Sequence, residues 1–116
     1  MKPLTPTRHG IVDYCACALM LGAPRLLKLS SETQAVSAGL AASYLGVTVF
    51  TDFPPALRRV LPFPLHGKIE LGTLPLLLGL AAWRRSANER LYFLGLAGMV
   101  AGAYALTDWQ ANPDET

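Results

Sequence analysis

Two histidines and four carboxylates are the residues in this chain whose types and spacing could do chemistry. His9 and Asp13 lie four apart, and so do His66 and Glu70; Asp52 and Asp108 follow in the stretches "FTDFP" and "LTDW". On a helix, positions i and i+4 share a face, so each histidine is presented beside an acid. Imidazole nitrogens and carboxylate oxygens suit divalent transition metals, and the same pairs can share a proton. Two histidines with four carboxylates match, in count and type, the ligand set of di-metal sites inside helix bundles. The interval here is His-x-x-x-Asp/Glu, whereas those sites use Glu-x-x-His, so the likeness is one of inventory. A single divalent ion or a shared proton fits the same atoms. A plainer reading stands beside these. The six side chains, joined by Thr51 and Thr107, could form a hydrogen-bonded ring that pins four helix ends together.

The two histidine motifs belong to an internal duplication. His9-Gly10 with Asp13 matches His66-Gly67 with Glu70 at an offset of 57 residues. "GLAASYLGVTVFTDF" from Gly39 matches "GLAGMVAGAYALTDW" from Gly95 at an offset of 56. Gly39/Gly95, Gly46/Gly102, Thr51/Thr107, Asp52/Asp108 and Phe53/Trp109 coincide without a gap. The chain therefore reads as a single domain, 1–116, with repeat one at 5–55 and repeat two at 62–111.

Four helices are the elements that must position these groups. Helix 1 is expected from about Pro6 to Ala23, with Thr5 as its cap, Pro6 in the first turn and Pro24 as its end. Helix 2 is expected from "SETQ", where Ser31 and Gln34 have the spacing of a capping box, to about Asp52. Helix 3 is expected from near Pro64 to near Trp83, with Pro75 inside it. Helix 4 is expected from "SANE", a second capping box of Ser86 and Glu89, to a point before Pro113. Short connections make sequential helices antiparallel neighbours. Helices 1 and 3 then begin where helices 2 and 4 end, and all six candidate residues gather at that end. The opposite end carries Arg25, Lys28, Glu32, Arg84, Arg85, Glu89 and Arg90, with no comparable cluster predicted.

Composition points to a membrane. Of the 116 residues 52% are hydrophobic and 16% charged, and the mean hydropathy is +0.33. Residues 14–24, 33–51, 71–83 and 91–107 contain no Lys, Arg, Asp or Glu; the second and fourth stretches are 19 and 17 residues long. Those lengths approach the ~20 residues of a spanning helix. The expected fold is an all-α integral membrane four-helix bundle of two tandem two-helix repeats, related by a pseudo-twofold axis along the membrane normal. Asp13 lies roughly 10 Å into helix 1 at ~1.5 Å per residue, a depth at which an acid in lipid is a functional hypothesis. A cleavable signal peptide is a rival reading of the first segment, countered by Asp13 and by three similar segments downstream. Tyr14, Phe53, Trp83 and Trp109 read as interface aromatics. Five basic residues at each end leave the orientation undetermined.

Other classes are excluded or set aside. A net charge of +2 without a basic stripe speaks against nucleic acid. Cys15 and Cys17 fall on roughly opposite sides of a helix and cannot easily bridge or share a metal. Gly98-x-x-x-Gly102 and the Ala35, Gly39, Ser43 series are packing seams, within the bundle before between copies of a homo-oligomer.

With the duplication in view, the chain resembles the SPW-repeat family of small bacterial membrane proteins. The resemblance rests on "HGIVDY", "FTDFP", "LHGKIEL" and "LTDW" and covers nearly the whole length. The tripeptide that names the family is degraded: repeat one has Ala23-Pro24-Arg25, and repeat two has Trp83 without a proline. The resemblance implies a multi-pass protein of a bacterial cell membrane, with the lipid bilayer as its partner, and implies no activity. The functional expectation is a site for a divalent metal ion or a proton formed by His9, Asp13, Asp52, His66, Glu70 and Asp108. The alternatives are a structural or partner-binding protein with a hydrogen-bonded clasp, and a soluble four-helix bundle.

Overall fold

A computed structural model describes residues 2–116. Four helices follow in order: α1 (Pro6–Leu26), α2 (Ser31–Val49), α3 (Phe63–Trp83) and α4 (Ala87–Leu106). The main packing is pairwise, α1 on α2 and α3 on α4, so each half of the chain forms its own helical hairpin. Between the pairs runs a narrow core of Ala16, Met20, Ala41, Leu77, Ala81, Phe93, Leu96 and Ala97.

Local chemistry explains the helix limits. Thr5 caps α1, its hydroxyl accepting from the Arg8 N–H at 3.3 Å, with Pro6 in the first turn. α1 does not stop at Ala23 as expected but runs through Pro24 to Leu26. Proline has no N–H, so the Met20 carbonyl loses its helical donor. The Ser37 hydroxyl of α2 donates to that carbonyl at 2.6 Å and repairs the gap. The chain then leaves through Lys28, at φ +54°, the left-handed step that commonly ends a helix. Ser30, not Ser31, caps α2, accepting from Thr33 N–H. Ser86 stands at the N-cap of α4 but makes no side-chain cap bond, and the Glu89 carboxylate that would complete a capping box is engaged by Ser30 and Arg84. α2 and α4 end at Val49 and Leu106, short of Asp52 and Asp108.

The two hairpins are stitched together by short extended segments. Leu4, before α1, pairs in parallel with Thr107 after α4; Leu61, before α3, pairs in parallel with Thr51 after α2. Asp108 N–H donates to the Leu4 carbonyl at 3.1 Å, and Asp52 N–H to the Leu61 carbonyl at 2.7 Å. These contacts recur at the offsets of 56 and 57 seen in the sequence. Each half's leading segment closes on the other half's tail.

The multi-pass membrane reading is overturned: among the described residues, no helix is long and apolar enough to cross a membrane. The helices have 19–21 residues, so length is not the obstacle. Polar residues inside them are. α1 carries Arg8, His9, Asp13 and Arg25; α3 carries His66, Lys68 and Glu70; α2 is diluted by Thr33, Gln34, Ser37 and Ser43. The charge-free stretches also run past the helix ends, so they overstate the helical apolar length. Phe53 and Trp109 are correspondingly not interface aromatics. Phe53 is fully buried, and both rings pack over the histidine motifs.

Candidate functional site

The site is built by α1 and α3, whose first turns lie side by side at one end of the bundle. His9 and His66 are 0% and 1% exposed, Asp13 and Glu70 2% and 3%. Each histidine meets both acids. His9 Nε2 lies 3.3 Å from Asp13 Oδ2 and 2.9 Å from Glu70 Oε2. His66 Nε2 lies 3.0 Å from Asp13 Oδ2 and 3.5 Å from Glu70 Oε2. In both cases the closer acid belongs to the other half of the chain. One ligand atom from each of the four residues lies within 4.8 Å of the others.

The far side of each ring is held by a threonine. His9 Nδ1 is 2.7 Å from Thr107 Oγ1, and His66 Nδ1 is 2.7 Å from Thr51 Oγ1. The hydroxyl protons of these threonines are already committed: Thr107 donates to the Ala103 carbonyl and Thr51 to the Val47 carbonyl. Each threonine must therefore accept, and each Nδ1 must carry a proton and donate. Both Nε2 atoms face the centre, each presenting a lone pair on the neutral ring or an N–H on the protonated one. Their contacts there are the ion pairs with Asp13 Oδ2 and Glu70 Oε2.

Water is kept out by packing. Gly10 and Gly67 follow the histidines and admit large side chains against the helix backbone. A Cβ at Gly10 would lie 2.8 Å from Pro55 Cγ and 3.0 Å from Phe53 Cε2; one at Gly67 would lie 2.8 Å from two Trp109 ring carbons. Forcing a methyl group into such contacts costs about 1–3 kcal/mol. The Trp109 ring sits 4.8 Å from that of His9 and stacks on that of His66 at 5.9 Å. Phe63 completes the cover, 4.8 Å from Trp109.

Electrostatics follow from burial and contact. Burial pulls the His9 imidazolium down, but hydrogen-bonding and charge interactions with Asp13 and Glu70 outweigh it and lift the group to about 9. His66 is raised too, with the same acids again overcoming burial. Burial pushes the Asp13 carboxyl up, yet His66 and His9 hold it below the usual carboxylate range. Thr48 adds a long contact to Asp13 Oδ2 at 3.5 Å.

Of the six residues expected to converge, the structure brings together His9, Asp13, His66 and Glu70. Asp52 stands apart: its carboxylate, 40% exposed, is bonded by Arg59 Nε at 2.8 Å. Asp108 also stands apart, accepting from Gln110 N–H at 3.1 Å in a local turn. Both follow helices that end early, and their backbone N–H groups, not their side chains, join the two halves. The opposite end does hold a polar cluster, contrary to expectation. Glu89, 4% exposed, accepts from Ser30 N–H, Ser30 Oγ and Arg84 Nε, and Arg84 also reaches Glu32. The sequence signal was present in "SETQ" and "RRSANE", but capping explained those residues locally and hid their long-range pairing. No family model, curated protein or solved structure matches this chain.

Proposed function

We propose that His9, Asp13, His66 and Glu70 bind one divalent transition-metal ion through two imidazole nitrogens and two carboxylate oxygens. The observation that carries the reading is the orientation of the histidines. Each Nδ1–H is anchored on a threonine, and each Nε2 faces two carboxylates. This is the outer-shell arrangement that fixes the tautomer of metal-binding histidines. Spacing supports it. Ligands at the ~2.0–2.1 Å distances of a tetrahedral zinc-type ion stand about 3.3 Å apart. The four nitrogen–oxygen separations run from 2.9 to 3.5 Å, within a set that spans up to 4.8 Å and would contract around an ion. Charge supports it as well: two neutral imidazoles and two carboxylates with a dication make an electroneutral buried centre.

A second reading has its own observation. Two protonated histidines beside two carboxylates are also neutral, and the elevated His9 value favours imidazolium. In that state the group is a clasp. We further infer that residues 5–55 and 62–111 are a duplicated unit whose pseudo-twofold axis passes between the two histidines. This would make the centre a product of both copies.

Metal analysis separates the two readings. Protein purified without chelators is expected to carry, or to take up, about one equivalent of a first-row divalent ion. Cobalt(II) loading is expected to give intense visible absorption, which His9→Ala and His66→Ala should abolish. A chain that remains metal-free and colourless with cobalt(II), and whose variants lose only thermal stability, is a clasp.

A further inference from the structure

All four residues of the centre are buried, so a hydrated ion can reach it only if part of the close-packed cover moves. Three aromatic rings pack on the histidines, and they are not equally enclosed. Phe53 and Phe63 are 0% and 1% exposed. Trp109 touches both imidazoles and yet is only partly buried. Its indole donates from Nε1 to the Tyr104 carbonyl at 3.0 Å. Among the described residues it is the one ring on the histidines that also meets solvent.

The segments that carry Phe53 and Trp109 differ in the same sense. Beyond Phe53 the backbone is stitched to the end of α2. Leu57 and Arg58 N–H donate to the Val49 carbonyl at 2.9 and 3.0 Å, and Val60 and Leu61 N–H to the Phe50 carbonyl at 3.1 and 2.7 Å. The Tyr14 hydroxyl adds a bond to the Pro55 carbonyl at 2.9 Å. Beyond Trp109 the backbone bonds among the described residues are local turns, Ala111 N–H to the Asp108 carbonyl and Glu115 N–H to that of Asn112. This strap, residues 110–116, reaches across to the other half of the chain and is tied there at two points. Arg59 Nη1 donates to Asp114 Oδ1 at 2.6 Å, and Thr5 Oγ1 to the Thr116 main-chain oxygen at 3.2 Å. The Arg59 and Asp114 side chains are 37% and 70% exposed. Exposed ties of this kind are weak, and segments held by them open before the core does.

We infer that Trp109 and the strap 110–116 form the gate through which the metal ion enters and leaves the centre, with the Arg59–Asp114 ion pair as its latch. This rests on the metal reading above. Release of the latch frees the backbone beyond Asp108, whose own N–H stays bonded to the Leu4 carbonyl and serves as the pivot. Trp109 can then turn off Gly67 and uncover the two imidazoles that it packs against. Arg59 also pairs with Asp52 at 2.8 Å, a contact outside the strap. One guanidinium thus holds two exposed carboxylates, and only the Asp114 pair governs passage. A gate changes the speed of exchange in both directions and leaves the affinity alone.

The test uses the full chain loaded with cobalt(II), mixed with excess chelator and followed by visible absorption. Asp114→Asn is expected to speed both release and uptake by about two- to fivefold, the worth of an exposed ion pair, with the dissociation constant unchanged. Asp52→Asn, which takes the other carboxylate from Arg59, is expected to leave both rates within about 1.5-fold. Trp109→Leu should speed release by about tenfold or more. Each variant should show the wild-type cobalt spectrum before chelator is added, which establishes that the centre has formed. In metal-free protein carrying Trp83→Phe, where Trp109 is the one remaining tryptophan, Asp114→Asn should also raise quenching of its fluorescence by acrylamide. Release that Asp114→Asn does not speed, or speeds no more than Asp52→Asn does, overturns this inference and leaves the metal reading intact, as does unchanged quenching. A protein that takes up no cobalt overturns both.

Discussion

The two ends of the bundle both bury acids, yet they treat them differently. At one end Glu89 is saturated. A backbone N–H, a hydroxyl and a guanidinium all point at it, and they hold its carboxyl down at about 2. Ser30 is the largest cause, and burial opposes it. At the other end, Glu70 and the two histidines are more deeply enclosed, and Oε2 meets only the two imidazole Nε2 atoms. The first end combines groups from α3 and α4 with the α1–α2 connection and has no counterpart within the duplication. The second is nearly symmetric. One carboxylate meets fixed donors, whereas the other end sets two carboxylates against two rings that titrate. Burial alone does not distinguish them, but the partners do: a guanidinium and a backbone N–H at Glu89, two imidazoles at Glu70.

The contrast can be broken most severely at the histidines. His66→Ala or His9→Ala should eliminate bound metal by elemental analysis. Each should also cost about 3–5 kcal/mol in denaturant unfolding, since it strips a partner from buried acids. Next in size is removal of the ion. Chelation of loaded protein should lower stability by about 4 kcal/mol where the free metal stood at a thousandfold its dissociation constant. Calorimetry with and without chelator measures this, and no change would place the two ends in the same class. Thr51→Val or Thr107→Val removes the acceptor behind a ring, together with that hydroxyl's own bond to a helix carbonyl. It should weaken metal affinity about 10–100-fold by competition with a chromophoric chelator, with the fold retained.

Glu89→Gln sharpens the comparison from the other side. It should destabilise by about 1.5–3 kcal/mol, the worth of hydrogen bonds to a charged group, and leave metal stoichiometry unchanged. Because the Glu89 carboxyl titrates lower in the folded chain than in the unfolded one, its contribution is complete above the unfolded value of ~4.3. It is lost as pH falls towards about 2. Wild type and Glu89→Gln unfolding energies should therefore converge over that acid window. The smallest effect is expected at Asp52→Asn, which loses an exposed pair with Arg59. That should cost no more than about 1 kcal/mol and leave metal binding unaltered. A large loss of metal there would return Asp52 to the site.

Much of the site was legible because it is written in local spacing. His9 with Asp13 and His66 with Glu70 need only a helix to share a face, and the offsets of 56 and 57 tie the two pairs together. Thr51 and Thr107 were visible as partners for the same reason. Asp52 and Asp108 misled because their placement depended on where α2 and α4 stop. Both helices unwind before reaching them, and the backbone turns to pair with Leu61 and Leu4. Pro24 misled in the opposite direction. Its helix-ending tendency is real, but Ser37, 13 residues later in sequence, supplies the missing donor. The membrane expectation failed on the difference between a charge-free stretch and an apolar helix. Pairings such as Ser30 with Glu89 span 59 residues and leave no periodic trace.

The crossed pairing of the leading segments has a consequence for assembly. Neither half can complete its own closure: residues before α1 need the tail of α4, and residues before α3 need the tail of α2. A gene fragment encoding one hairpin would present an open edge and a histidine without its threonine. It could satisfy both only by embracing a twin head to tail. The protein is in this sense a dimer written on one strand, and cutting the loop between α2 and α3 should yield two pieces that reassociate instead of two that fold apart.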